Sequence, residues 1–200
     1  YQFHIILNPD VSFSADSIKR LLDFSASINN IGLVSPRIIN SNGNQEYLCK
    51  LIPSPIDLII RLFKLRFFKK RISNFQLLHF DYNKVIEAPY FSGCFMLVRV
   101  EILRDIGFFD ENFFMYPEDI DFTRRINEKY KTLYFPDSTI IHKHNKESFK
   151  NIKMFYIHCI NIIKYFNKWG WLYDHKRYHQ NKIILNQNQD YYKSSIKNQL

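Results

Sequence analysis

Three polar clusters in this sequence carry side chains able to do chemistry: Asn8-Pro9-Asp10, the acidic pair Glu118-Asp119, and His142. Asp10 and His142 together offer an oxygen and a nitrogen donor, a mixed set that suits Mg2+ or Mn2+ with diphosphate oxygens completing the shell. A divalent cation held there would neutralise a diphosphate leaving group. The acidic pair combines opposing influences. A carboxylate at a helix N-terminus is favoured as the ion by the dipole, and a second acid beside it pushes the other way, which gives a group that stays charged yet accepts a proton. Each cluster also has a plainer reading. Asn-Pro-Asp is a common turn, acids at a helix start serve capping, and a lone histidine is often a satisfied structural residue. What distinguishes these readings is the order of the clusters and the sequence between them.

The elements that must position these residues alternate strand and helix. Residues 3–7, Phe-His-Ile-Ile-Leu, read as a central strand that stops at Asn8-Pro9-Asp10, so the polar residues sit at its C-terminal end. Ser14 caps a helix with Asp16 in its first turn and Ile18, Leu21, Leu22, Ser25 and Ile28 on one face. A strand over about 32–39 is followed by a turn in the Asn40-Ser41-Asn42-Gly43-Asn44 cluster. Residues 56–72 read as one amphipathic helix with Leu58, Ile59, Leu62, Phe63 and Leu65 on its apolar face and Arg61, Lys64, Arg66, Lys69, Lys70 and Arg71 as its charges. Such a helix suits a membrane surface or a phosphate-bearing ligand, or is an ordinary surface helix.

An apolar stretch from Phe91 to Val100 opens with Ser92-Gly93-Cys94 and leads to a short helix ended by Gly107. Residues 118–130 form a helix with Glu118, Asp119 and Asp121 at its start. A strand over about 132–141 then delivers His142 and His144 at its end. A helix from 149 to 168 precedes Trp169-Gly170-Trp171, and residues 188–200 form a polar tail. This alternation predicts an α/β fold. In open α/β sheets, ligands bind outside the carboxyl ends of the strands, which is where Asp10 and His142 fall.

At 200 residues, with 46% apolar and 24% charged residues and with 19 Phe and 13 Tyr, the chain has the composition of a globular domain folded around aromatics. No apolar run approaches the ~18–20 residues that span a bilayer, and the first residues lack the basic segment and cleavage site of a signal peptide. Three cysteines without metal-like spacing fit a reducing, cytoplasmic compartment. The net charge of +9 predicts attraction to a phosphate-rich partner. One such partner is nucleic acid, bound by a basic, non-catalytic protein; the sequence carries no RNP, zinc-finger or helix-turn-helix signature, and no nucleic acid is expected. Residue 1 is Tyr and the first segment already reads as a strand, so the chain is expected to be the C-terminal part of a longer protein.

Five segments in this order carry a family likeness: LNPDV (7–11), GLVSPRIINSNG (32–43), FSGCFMLVR (91–99), GFFDENFFMYPEDIDFTRR (107–125) and IIHKHNKES (140–148). From about Phe3 to Trp171 the sequence resembles the C-terminal half of family 2 glycosyltransferases, especially bacterial rhamnosyltransferase-like enzymes of surface-polysaccharide synthesis. The block around Pro117-Glu118-Asp119-Ile120-Asp121 is its most specific part.

The resemblance implies a partial GT-A (Rossmann-like) fold with a mixed sheet and C-terminal helices, a nucleotide-sugar donor, and transfer with inversion at the anomeric carbon. Residues 1–148 would be the C-terminal portion of the catalytic domain, lacking most of the nucleotide-binding half, and 149–187 an amphipathic helical region. Asn8 and Asp10 fall on the Asp-x-Asp metal motif, with Asn8 removing one charge and Asp10 holding the Mg2+ or Mn2+ ion on the donor side. His142 falls on the third metal ligand, with His144 two residues on as the alternative register. Asp119 falls on the general base, with Glu118 orienting the acceptor or tuning the base, and Asp121 ordering the helix. Ser92 and Gly93 fall on the wall between donor and acceptor, with simple strand packing as the alternative. Cys94 is no nucleophile, because inversion needs no covalent intermediate. The acceptor implied is a glycan, lipid-linked through polyprenyl diphosphate, reached by peripheral membrane contact through 56–72 and 149–171 at the inner face of the bacterial membrane. The counter-reading of those two segments is padding of the domain's own core. A truncated pseudo-transferase that binds glycan or membrane without turnover is the remaining alternative.

Overall fold

The computed structural model describes residues 2–63, 65–143 and 152–197. Its centre is a mixed sheet of seven strands. Five lie in the order β1 (Phe3–Leu7), β8 (Phe95–Arg99), β3 (Ile31–Asn40), β9 (Lys131–His142) and β2 (Val11–Phe13); β4 (Gln45–Glu46) pairs with β3 and β6 (Ile86–Glu87) with β9. The β3–β9 pair is parallel and the other pairings are antiparallel. β5 (Cys49–Lys50) and β7 (Tyr90–Phe91) form a separate two-stranded ribbon.

Strand alternation divides the core between the two faces of the sheet. Phe95 and Leu97 of β8 and Val34 and Ile38 of β3 pack with Leu21 of α1 (Ala15–Ser27). Met96 and Val98 of β8 and Leu33 of β3 pack with Phe122 and Ile126 of α5 (Glu118–Asn127) and with Tyr165 and Phe166 of α6 (Ile152–Trp169). β3 is covered on both faces, which explains its nearly continuous apolar sequence. At Gly32 a Cβ would lie 2.5 Å from Ile126 Cγ2, so α5 seats on the sheet only because that position has no side chain.

Local signals act where the sequence places them. Ser14 caps α1 by accepting from the Ser17 N–H at 3.1 Å. Gly107, at φ +78°, ends α4 (Leu103–Ile106). The Asn40 side chain accepts from the N–H groups of Asn42 and Asn44 and closes the β3–β4 turn.

Three elements differ from the sequence reading. Among the described residues β1 pairs only with β8 and lies at the end of the strand order, although its apolar run reads as central. The stretch 91–100 is interrupted at Ser92-Gly93-Cys94, which joins the ribbon strand β7 to the sheet strand β8. The segment 56–72 is not one helix. α2 (Pro55–Leu62) ends at Phe63, and after a short 3₁₀ turn α3 (Lys69–Phe75) runs back against it. The reversal brings Phe75 into one core cluster with Leu58, and Arg71 of α3 reaches Asp57 of α2 at 2.7 Å. A single straight helix could not make those contacts, and the reversal leaves Ile59, Phe63 and Phe67 exposed.

α6 and α7 (His175–Lys197) complete the layer over α5. A buried ion pair fastens them: Arg124 of α5 donates to both carboxylate oxygens of Asp174, at 2.8 and 2.6 Å, while its guanidinium stacks 3.9 Å from the Trp169 ring. Asp174 in turn caps α7 by accepting from the Arg177 N–H. Among the described residues no helix is long and apolar enough to cross a membrane.

Candidate active site

Asp119 is in the first turn of α5, and the chain enters that turn through a constrained corner. Tyr116 holds φ +82°, a left-handed conformation that costs energy for a non-glycine residue. α6 holds the corner in place: Asn161 donates to the Met115 carbonyl at 3.1 Å, and the His158 ring meets the Tyr116 ring edge-on at 4.1 Å. Two residues further along α5, Asp121 is fully buried and accepts from Trp169 Nε1, Arg125 Nε and Lys168 Nζ at 2.7–2.8 Å. Asp121, with Arg124, therefore ties the helix to α6, the ordering role its position suggests.

Asp119 is 8% exposed. Its Oδ2 accepts from the Gly93 N–H at 3.0 Å and faces the Tyr90 hydroxyl at 3.5 Å, while Oδ1 accepts from the Ile120 N–H at 2.7 Å. Burial raises its pKa to about 6 against the pull of Lys50 and of the two backbone donors. Glu118 is pushed up to about 7, first by burial and then by the charge of Asp119. Among the described residues its buried Oε2 has no hydrogen-bond partner. The pair thus provides one carboxylate held by two backbone donors and a second close to titrating near neutral pH.

Gly93 supplies one of those donors through its backbone N–H, and its Cα lies close enough that a Cβ there would sit in van der Waals contact with Asp119 Cβ, at 3.4 Å. Lys50 and Tyr90, which the sequence reading passed over, complete the surroundings. Lys50 is buried opposite Tyr90 in the ribbon, its ammonium 5.0 Å from the Tyr90 ring centroid, and burial with the charge of Arg61 lowers it to about 8. In sequence Lys50 is a lone lysine between apolar residues, and a two-residue strand leaves no periodicity to reveal which way it points.

The second cluster forms at the C-terminal end of β9. His142 is buried, with Nε2 3.3 Å from Asp10 Oδ1 and Nδ1 3.0 Å from Glu46 Oε2. Asp10 is brought there by the β2–β9 pairing, in which Val11 opposes His142, and by the Lys143 N–H donating to the Asp10 carbonyl. The Asn8 side chain is exposed, and its backbone N–H donates to the Cys94 carbonyl at 3.0 Å. That bond links the two clusters, since Cys94 adjoins Gly93. Burial, with the charges of Glu46 and Asp10, pushes the Cys94 thiol up to about 12, which suits its exclusion as a nucleophile. His144 and residues 145–148 lie outside the described residues.

The donor pair fits a divalent cation. Two ligands at right angles, each about 2.1 Å from an ion, are about 3.0 Å apart, close to the observed separation of Asp10 Oδ1 and His142 Nε2 at 3.3 Å. Among the described residues no three His, Cys, Asp or Glu side chains are disposed to hold an ion by themselves, so such an ion would take its other ligands from elsewhere. A cavity of about 490 Å³ lies apart from both clusters, lined by Asp57, Arg71, Asp174 and Arg177 among others, and contains none of the candidate residues.

These features can be set beside known proteins. No family model matches the chain. Over 141 residues, 69% of the chain and 46% of the relative, it is 29% identical to N-acetylglucosaminyl-diphospho-decaprenol L-rhamnosyltransferase of Mycobacterium tuberculosis, in strains CDC 1551 / Oshkosh and H37Rv alike. The chain is similar in sequence to glycosyltransferases. It is also 27% identical, over 60% of its length and 35% of the relative's, to the low-salt glycan biosynthesis hexosyltransferase Agl10 of Haloferax volcanii. The chain therefore spans less than half the length of these curated relatives. A solved structure of GalNAc-T7 with UDP, GalNAc and Mn2+ aligns with 73% of the chain and 28% of its own, at a TM-score of 0.48 and 16% identity. The family 2 likeness read from the five segments agrees with the two sequence relatives, and the α/β class with the mixed sheet and C-terminal helices described above.

Proposed function

We propose that the chain is the C-terminal portion of an inverting glycosyltransferase of GT-A type. It moves a sugar from a nucleotide-diphosphate donor to a hydroxyl of a polyprenyl-linked surface glycan. The observation that carries this reading is the Asp119 carboxylate: buried, raised to about 6, and aimed by the Gly93 N–H, with Asp10 and His142 reached through the adjoining Cys94–Asn8 bond. The acceptor class follows the relative whose name specifies a diphospho-decaprenol acceptor.

Asp119 takes the proton of the acceptor hydroxyl as that oxygen bonds to the anomeric carbon. The carbon's bond to the diphosphate oxygen breaks on the opposite face, and its electron pair leaves with the nucleotide. Glu118 orients the acceptor, and Ser92 and Gly93 form the wall on the acceptor side. Asn8 and Asp10 face the donor diphosphate, and a divalent cation bound by Asp10 and His142 supplies charge neutralisation there.

Peripheral contact with an anionic membrane brings the site to its acceptor. The α2–α3 reversal exposes Phe63, Phe67 and Phe68 beside Lys69 and Lys70, and α6 exposes Ile152, Tyr156 and Ile163. The other face of α6 buries Asn161, Tyr165 and Phe166 in the core, so it serves both packing and this surface.

Thermal unfolding with dTDP, UDP or GDP, each with and without Mn2+, tests the donor side. Stabilisation that requires Mn2+ and disappears in Asp10→Ala is the expected result, and the preferred base narrows the donor. Nucleotide stabilisation that Asp10→Ala leaves intact would overturn the placement. On the acceptor side, Asp119→Asn is expected to abolish transfer and spare nucleotide binding; unchanged transfer would remove Asp119 as the base.

A further inference from the structure

His142 lies between two carboxylates on opposite sides of its ring. Nε2 faces Asp10 at 3.3 Å and Nδ1 faces Glu46 at 3.0 Å, with the imidazole side chain 7% exposed and that of Glu46 23%. A neutral imidazole has one N–H and one lone pair; both ring nitrogens face a carboxylate, and the shorter contact, Nδ1 to Glu46 at 3.0 Å, is the one with hydrogen-bond geometry and takes the N–H. Nδ1–H donating to Glu46 therefore leaves the lone pair on Nε2, the nitrogen beside Asp10. Because Glu46 touches the far nitrogen, it is placed to steer the ring rather than to share an ion with Nε2.

The strand register brings Glu46 there. It opposes Ile38 on β3, while His142 opposes Asn40 two residues further along the same strand. The Asn40–Asn44 turn sets this register, with two backbone donors on the Asn40 side chain and Gly43 at φ +78°. A shift of one residue in β4 would turn Glu46 to the opposite face of the sheet.

We infer that Glu46 is a positioning residue: its carboxylate, accepting from His142 Nδ1–H, fixes the ring and its tautomer so that Nε2 and Asp10 together present a divalent-cation site. The part concerning the cation rests on the metal reading proposed above; the part concerning the ring does not. A metal-bound histidine is commonly held in this way by a carboxylate on its other nitrogen, and removing the outer partner weakens the metal about 10–100-fold.

Two measurements test this separately. Long-range ¹H–¹⁵N spectra of the metal-free chain, taken where the imidazole is neutral, should show His142 as the Nδ1–H tautomer, and Glu46→Ala should leave a tautomer mixture. A predominant Nε2–H form in the wild type would overturn the hold on the ring, whatever Mn2+ does. Mn2+ binding in the presence of UDP is then followed by loss of the free-ion EPR signal. Glu46→Ala should bind about 10–100-fold more weakly, whereas Glu46→Gln, whose amide oxygen still accepts from Nδ1–H, should recover most of the affinity. A Glu46→Gln chain as weak as His142→Ala, or a Glu46→Ala chain as tight as wild type, would overturn the positioning role. A wild type with the Nδ1–H ring but no Mn2+ binding would overturn the metal reading and leave the hold of Glu46 on the ring supported.

Discussion

Replacing Asp119 by Asn should make the fold less sensitive to alkaline pH. The carboxyl has an ordinary value of 3.8 and is raised to about 6 by burial, so between those values the folded chain binds a proton that the unfolded chain has lost. Protonation therefore favours the fold: this contribution is fully present below about pH 4 and disappears as pH rises through 6. A shift of about two units is worth about 3 kcal/mol in all, of which about 1.4 kcal/mol is lost between about pH 5 and pH 8. Urea unfolding of the wild type and of Asp119→Asn at those two pH values measures it. With a slope of about 2 kcal/mol per molar urea, the wild-type midpoint should fall by about 0.7 M more than that of the variant. Parallel behaviour of the two chains would refute the buried, raised carboxylate. The same titration gives transfer an acidic limb: kcat/KM should rise with pH through about 6, because only ionised Asp119 takes a proton.

Arg124→Met should cost about 3–5 kcal/mol and lower Tm by about 10 °C, because it leaves Asp174 buried without its partner; calorimetry showing a drop under 2 °C would contradict the fastening role of that pair. Phe67→Asp should leave Tm unchanged, since Phe67 is 99% exposed, and should weaken sedimentation with phosphatidylglycerol vesicles at least about tenfold at low salt. Equal vesicle binding by the two chains would remove the α2–α3 reversal from the membrane surface.

Signals acting within a few residues were readable from the sequence. Ser14 with Asp16, the Asn40–Asn44 turn, Gly107 and the acid-first pattern of Glu118–Asn127 each act through their own neighbours' backbone, so the local composition names the cap, turn or helix start. The order of Asp10, Asp119 and His142 was equally plain, and strand ends are where an α/β sheet collects such residues. Glu46 and Lys50 were hidden, because strands of two residues have no alternation from which a facing direction can be read. The 56–72 segment misled for a related reason. Its apolar positions fit one helix, but burial of Phe75 in the cluster that holds Leu58 required the chain to reverse.

By itself, then, the sequence determined the alternating elements, their caps and turns, and the acidic and imidazole groups available for chemistry, since these depend on backbone hydrogen bonding over short range. Only the tertiary structure decided that Gly93 holds Asp119, that Lys50 lies beside it, and that His142 lies between Asp10 and Glu46. Those contacts join residues 26 and 96 positions apart in the Gly93–Asp119 and Glu46–His142 pairs, and strand pairing and burial set them through the register of the whole sheet.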